Sequence, residues 1–266
     1  MQRLINILSN NSEKSKIVEK NLISKLNSLD FKIPKEFDDN AQLSICIGGD
    51  GSFLNAVRNY DFPQMPFVGI NTGHLGFFQE VYPYNIDTFL DLYLKKEYYI
   101  QKINPVEASI CTRSHCVNAI GINEIVIKGD KSRTIHMNIS VNDKMIQNFS
   151  GDGIIISTPS GSTAYNYSSG GSIVDPSIKV LQITPLSPIN TNAYRSFTSS
   201  VILPHDATIK IYPEYRFENS ILVSADGIEH KHEEIVKIEI TTSQMDINLL
   251  RFKDYDFWTK VSEKFL

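Results

Sequence analysis

The chain has 266 residues, 41% hydrophobic and 21% charged, with a formal net charge of -4. That length holds one large or two modest domains with a sizeable core. Nothing in that balance points to a nucleic-acid partner or an anionic membrane surface. No stretch approaches the roughly 18 apolar residues of a membrane-spanning helix, and the opening residues Met1 to Ile5 lack the apolar run of a signal peptide. Three cysteines, Cys46, Cys111 and Cys116, are odd in number and contain no CxxC pair. They are expected to be reduced thiols of a cytoplasmic protein.

The first hundred residues alternate strand and helix signals. Leu4 to Leu8 is a short apolar run followed by the breaker cluster Ser9-Asn10-Asn11-Ser12. Val18, Leu22, Leu26 and Leu29 then mark one helix face. Leu43 to Ile47 is a second apolar run that stops at Gly48-Gly49. Ser52 to Asn59 reads as a helix, Phe67 to Asn71 as a strand and Ile86 to Lys95 as a helix. Repeated strand, loop and helix predict a parallel sheet with crossover helices. Near Glu97 the pattern changes to short β-branched segments separated by turn residues such as Gly129-Asp130 and Asn142-Asp143. These segments predict a β-rich second domain. The tail, with Phe252, Phe257, Trp258 and Phe265, reads as an apolar segment that docks on the body. The division expected is 1–98, 99–250 and a tail 251–266 that returns to the first domain.

Eleven of the fourteen glycines fall in five clusters beside polar residues, as loops shaped for close backbone approach to a ligand require. In the first, a strand runs into Gly48-Gly49-Asp50-Gly51 and then a helix, which places backbone N–H groups where an anion is favoured. Asp50 either caps that helix or serves a metal or a proton transfer. The loop has no lysine, so it is not a Walker A loop, and its spacing fails the GxGxxG fingerprint. The second cluster is Asn71-Thr72-Gly73-His74-Leu75-Gly76-Phe77, at the same end of the predicted sheet. His74 there reads as a scaffold residue more readily than as a base. In the β-rich half stand Asn123-Glu124, then Gly151-Asp152-Gly153, then Thr158-Pro159-Ser160-Gly161-Ser162-Thr163-Ala164-Tyr165-Asn166. The last stretch is either a surface turn or a loop whose hydroxyls, N–H groups and aromatic face suit a purine and its ribose. His230 and His232 share a strand face and read as solvated.

In this order, GGDG, NTGHLGF, NE, GDG, TPSGSTAYN, SGG and ADG (Ala225-Asp226-Gly227), the segments resemble the bacterial NAD kinases over nearly the whole chain. The resemblance implies an α/β N-terminal domain with a Rossmann-like parallel sheet and a β-rich, sandwich-like C-terminal domain. It also implies a homo-oligomer, commonly a tetramer, whose subunits complete each other's sites. By position, Asp50 matches the family's catalytic aspartate, the acceptor of the proton from the 2′-hydroxyl of the adenosine ribose. Gly48, Gly49 and Gly51 match its phosphate loop. Asn123 and Glu124 match residues that hold the adenosine, and Thr163, Ala164 and Tyr165, with Ser160 nearby, those framing the adenine. Phe77 and Asp152 match further pocket positions, Asp226 falls in the late pocket motif, and Tyr194 lies where an aromatic residue reaches a neighbouring subunit. Ser150 stands where the family often has arginine or another larger side chain and Ser187 where alanine is common, departures that would alter how the nicotinamide end is held.

The reaction so implied is in-line transfer of the γ-phosphoryl group of ATP, or another phosphoryl donor, to NAD, giving NADP. Mg2+ or another divalent cation would arrive with the donor. Rival readings are another GGDG phosphotransferase, acting on a sugar phosphate or a lipid, and a non-enzymatic NAD or NADP sensor. Sparse arginine and the lack of an apolar channel speak against the first, and the acid at position 50 against the second.

Overall fold

The computed structural model describes residues 3–214, 221–232 and 234–266. Two compact units are formed, one from Met1–Ile103 with Asp246–Leu266 and one from Asn104–Met245.

The first unit opens with β1 (Ile5–Ser9), α1 (Glu13–Ser28), β2 (Leu43–Gly48), α2 (Asp50–Asn59) and β3 (Phe67–Asn71), followed by β4 (Gln79–Val81), α3 (Ile86–Lys95) and β5 (Tyr99–Ile103). Its sheet runs β1-β2-β3-β18-β5, where β18 (Ile247–Arg251) is the last strand of the chain, and β4 pairs with β3 off this path. β1, β2 and β3 are parallel, whereas β18 and β5 are antiparallel. β2 is buried along its whole length, as a strand covered on both faces must be. Ser12 caps α1 by accepting the N–H of Ser15 at 3.2 Å, and Leu22 and Leu26, four apart, lie fully inside. Ile86, Phe89, Leu90 and Tyr93 are the buried face of α3, the 3.6-residue period made physical. A final helix, α5 (Phe257–Phe265), follows β18. The exposed Asp256 caps it, accepting the N–H groups of Trp258 and Thr259.

The second unit is a sandwich of two six-stranded antiparallel sheets. One contains β6 (Val106–Thr112), β7 (Cys116–Gly121), β9 (Ile135–Val141), β10 (Lys144–Gly151), β14 (Ile209–Pro213) and β17 (Ile235–Thr242), in the order β10-β9-β14-β17-β6-β7. The other contains β8 (Glu124–Gly129), β11 (Gly153–Ser157), β12 (Val180–Leu186), β13 (Val201–Pro204), β15 (Ile221–Ala225) and β16 (Ile228–His232), in the order β13-β12-β11-β8-β15-β16. A short helix, α4 (Tyr165–Ser168), follows β11. β6 and β9 bury alternate residues, as strands with one face on a core do. Their inner side chains, among them Ile110 and Ile139, share one core with Ile127, Ile156 and Val223 of the other sheet.

The cysteines depart from expectation. Cys111 and Cys116 are register partners across the β6–β7 hairpin and form a disulfide. An odd count did not exclude a pair, because hairpin register brings together two cysteines whose spacing matches no metal or redox motif. Cys46 is free and buried in β2, and burial pushes its thiol well above the ordinary range.

Candidate active site

β2 ends at Gly48, Gly49 is the N-cap of α2 without a side-chain cap bond, and Asp50 is the first helical residue. The Asp50 carboxylate does not cap its own helix. Its two oxygens accept the backbone N–H groups of Phe77 at 2.9 Å and Phe78 at 3.0 Å. Those donors are the last residue of the second glycine cluster and the one after it, so the two loops read from the sequence meet at this carboxylate. Gly76 is required by the approach: a Cβ there would run into the Asp50 carboxylate. The loop is shaped upstream by Asn71, whose Oδ1 accepts the N–H of Gly73 at 2.9 Å. Thr72 and Ser15 of α1 join their hydroxyls at 2.6 Å. The Phe77 ring is turned away, packed on Phe257 and Phe265 of α5, so Phe77 offers this site its backbone rather than its face. His74 is exposed.

In the second unit, Asn123 and Glu124 form the entry to β8, held from two sides. Asp226 accepts the N–H groups of Ile122 at 2.8 Å, Asn123 at 2.7 Å and Glu124 at 3.2 Å. Its own N–H donates to the Glu124 carbonyl at 3.1 Å. Asp226 and Gly227 have φ of 46° and 80° and join β15 to β16 as a two-residue hairpin turn, the setting in which Asp-Gly is favoured. On the other side, the Thr158 hydroxyl donates to the Ile122 carbonyl at 2.8 Å and accepts the N–H of Gly161 at 3.1 Å. Gly161 lies so close that a Cβ would strike the Asn123 carbonyl. With their backbones held, Asn123 Oδ1 and Glu124 Oε2 are buried and lack hydrogen-bond partners, an arrangement that is costly unless a ligand group meets it. Burial, and then the Asp226 charge, push the Glu124 carboxyl up to about 8.

Residues 3–98 match the ATP-NAD kinase N-terminal domain and residues 122–252 the ATP-NAD kinase C-terminal domain. A curated NAD kinase of Finegoldia magna is 40% identical over 268 residues, covering 99% of this chain and 98% of the relative. The chain belongs to the NAD kinase family. NAD kinase 1 of Listeria monocytogenes is 32% identical, covering 98% of each chain. Among solved structures, a yeast NADH kinase complexed with NADH superposes with a TM-score of 0.86 at 18% identity, covering 99% of this chain and 87% of that one. An NAD kinase from Archaeoglobus fulgidus in complex with ATP gives 0.75 at 22%, covering 97% and 98%. The fold is therefore that of the NAD kinases.

The other residues singled out by the sequence resemblance occupy distinct settings. Thr163 is buried, Ser160 and Ala164 are half-buried and Tyr165 is exposed. Asn166 anchors this loop from inside, accepting the Thr184 hydroxyl at 2.6 Å. Asp152, Tyr165 and Ser187 line a cavity of about 610 Å³ together with Lys128 and Arg133. Ser187 has a φ of 43°. Ser150 is buried, its backbone tied to Ser196 and Ile189. Tyr194 is also buried within its own chain, its ring stacked on His136 at 4.5 Å. His230 and His232 are half-buried rather than solvated. Thr158 was legible only as a member of a motif, and Arg251, Lys260 and Lys264 carried no sequence signal for the contacts described below.

Proposed function

We propose that this chain transfers the γ-phosphoryl group of ATP to the 2′-hydroxyl of the adenosine ribose of NAD, with Asp50 accepting the hydroxyl proton. The observation that carries this reading is the Asp50 carboxylate, held by two peptide N–H groups at the N-terminal end of α2. Beside it, Gly49 and Gly51 meet no neighbour at a Cβ and have no left-handed φ. Neither packing nor conformation demands glycine there, which leaves close backbone approach of a phosphate as the physical reason.

In the reaction, a bond forms between the ribose 2′ oxygen and the γ phosphorus. The bond from that phosphorus to the bridging oxygen breaks, its electron pair stays on ADP, and the proton passes to Asp50. A carboxylate is too weak a base to ionise an alcohol beforehand. Phosphoryl transfer through a loose transition state needs only late proton acceptance. The divalent cation would enter with ATP, as part of the donor. Gly48 completes the phosphate loop.

Asn123 and Glu124 hold the adenosine through their unpaired side-chain oxygens. With its carboxyl pushed up to about 8, Glu124 is protonated at neutral pH and offers a donor beside an acceptor. Tyr165 supplies the ring face and Ser160, Thr163 and Ala164 the frame of the adenine. Asp152 and Ser187 sit on the wall of a cavity that we assign to the rest of NAD, and Asp226 acts by fixing the Asn123-Glu124 backbone. Phe77 contributes its N–H to Asp50, and Tyr194 marks the side on which a neighbouring subunit stands in the homotetramer that the family resemblance implies. A cytoplasmic location completes the reading, with the Cys111–Cys116 disulfide a departure from the reduced thiols usual there.

Incubation of the purified protein with NAD, ATP and Mg2+, with NADP read out by an NADP-specific dehydrogenase, tests it. NADP formation is expected; none with ATP or any other phosphoryl donor would overturn the reading.

A further inference from the structure

The segment that holds Asp50 is itself held from behind by three cations of the C-terminal stretch. Lys264 donates to the Leu75 carbonyl at 3.0 Å. Arg251 Nη2 donates to the Phe77 carbonyl at 2.9 Å. Lys260 donates to the Gln79 carbonyl. Every second carbonyl from 75 to 79 thus meets a positive charge, while the N–H groups of Phe77 and Phe78 face the Asp50 carboxylate.

One peptide links the two sides directly. The unit between Phe77 and Phe78 gives its oxygen to Arg251 and its N–H to Asp50. A cation on the oxygen polarises the peptide and strengthens the N–H as a donor. Arg251 is fixed in turn. It is 3% exposed, paired with Glu80 at 2.9 Å, bonded to Gln101 at 2.9 Å and stacked over Tyr255 at 4.0 Å. Lys260 lies one helical turn from Lys264 on α5, with Tyr255 5.1 Å from its ammonium.

We propose that Lys260 and Lys264 are positioning residues for the phosphoryl-transfer step, acting with Arg251 through the 75–79 segment to aim the Asp50 carboxylate. The inference rests on the reading of Asp50 as proton acceptor. Packing alone does not account for Lys260. Burial, followed by the Arg251 charge, pulls its ammonium down to about 8, so its charge is held against a desolvation cost that a methionine there would not carry. Lys264 is exposed, and its ammonium lies 5.1 Å from the Phe77 ring.

The test compares Lys260→Met, Lys260→Arg, Lys264→Ala and Asp50→Asn in the NADP-forming assay. Thermal melting and amide hydrogen exchange of the peptide spanning residues 73–81 are followed in parallel. Lys260→Met is expected to lower kcat by about tenfold, the scale of a small misplacement of a reacting group. KM for NAD and ATP should stay within twofold and Tm should not fall, while exchange at Phe77 and Phe78 quickens. Lys260→Arg should restore most of kcat. Lys264→Ala, at an exposed position that does not threaten folding, should show the same split in smaller degree.

Turnover within twofold of the parent in both lysine variants overturns the proposal, and so does a loss of kcat that only tracks a fall in Tm. If Lys260→Met does not fold, the outcome for Lys264→Ala decides. Asp50→Asn separates the two levels. Full turnover there removes the reading of Asp50 itself, whereas a dead Asp50→Asn beside fully active lysine variants removes only the brace.

Discussion

Asp226 accepts the backbone N–H of Asn123 at 2.7 Å across 103 positions of sequence. That one carboxylate also takes the N–H groups of Ile122 and Glu124, so the hairpin turn at 226–227 sets the backbone on which two proposed ligand-holding side chains stand. Asp226 thereby shapes the backbone on which those side chains stand.

Asp226→Ala removes three charge-assisted hydrogen bonds, each worth about 1.5–3 kcal/mol. NAD binding, followed by calorimetry, should weaken by at least about tenfold, equivalent to about 1.4 kcal/mol. Asp226→Asn keeps an oxygen for Asn123 and Glu124 but turns an N–H toward that of Ile122, and should lie between. Unchanged affinity in the alanine variant would show that the Asn123-Glu124 backbone needs no such clamp.

Glu124 makes stability depend on pH. Its folded carboxyl is pushed up to about 8 by burial and the Asp226 charge, while the unfolded group titrates near 4.3. Between those values the folded state holds a proton that the unfolded state has released. Stability from this group therefore falls as pH rises through that window. Glu124→Gln should raise Tm by several degrees at pH 9 and by little near pH 5, with NAD absent. An equal shift at both pH values would contradict the assignment.

Tyr165 is 45% exposed, so its ring is available to stack and contributes little to the core. Tyr165→Ala should raise the Kd for NAD by about 5–150-fold, on the scale of about 1–3 kcal/mol for base stacking, with kcat nearly kept. A collapse of kcat at unchanged Kd would remove the stacking role.

Much of the first unit was legible because its elements carry their own periodicity. Phe67–Asn71 and Ile86–Lys95 appear with the bounds read from the sequence, the first as a short segment buried throughout and the second because one face repeats at the helix period. β18 was not legible. Ile247–Arg251 was not singled out as a segment, and its place between β3 and β5 is set by pairing across more than 140 residues. β12, Val180–Leu186, was not singled out either; it carries Pro185, a residue that cannot donate to a sheet ladder.

The site divides in the same way. Asp50 stood out because a carboxylate in a glycine loop is unusual chemistry. The donors that hold it, the N–H groups of Phe77 and Phe78, are backbone atoms to which sequence assigns no partner. The same holds for the Leu75, Phe77 and Gln79 carbonyls met by Lys264, Arg251 and Lys260. Cys111 and Cys116 could be paired only once the β6–β7 register was known.

The claim that Asp50 carries the chemistry is tested most directly by measuring turnover and NAD binding together in Asp50→Asn. Asparagine keeps the shape and one acceptor oxygen but cannot take the proton. A fall in kcat of about 10²–10⁴-fold, with Kd for NAD within about threefold of the parent, is the predicted result. Lost binding with turnover per bound NAD preserved would contradict it.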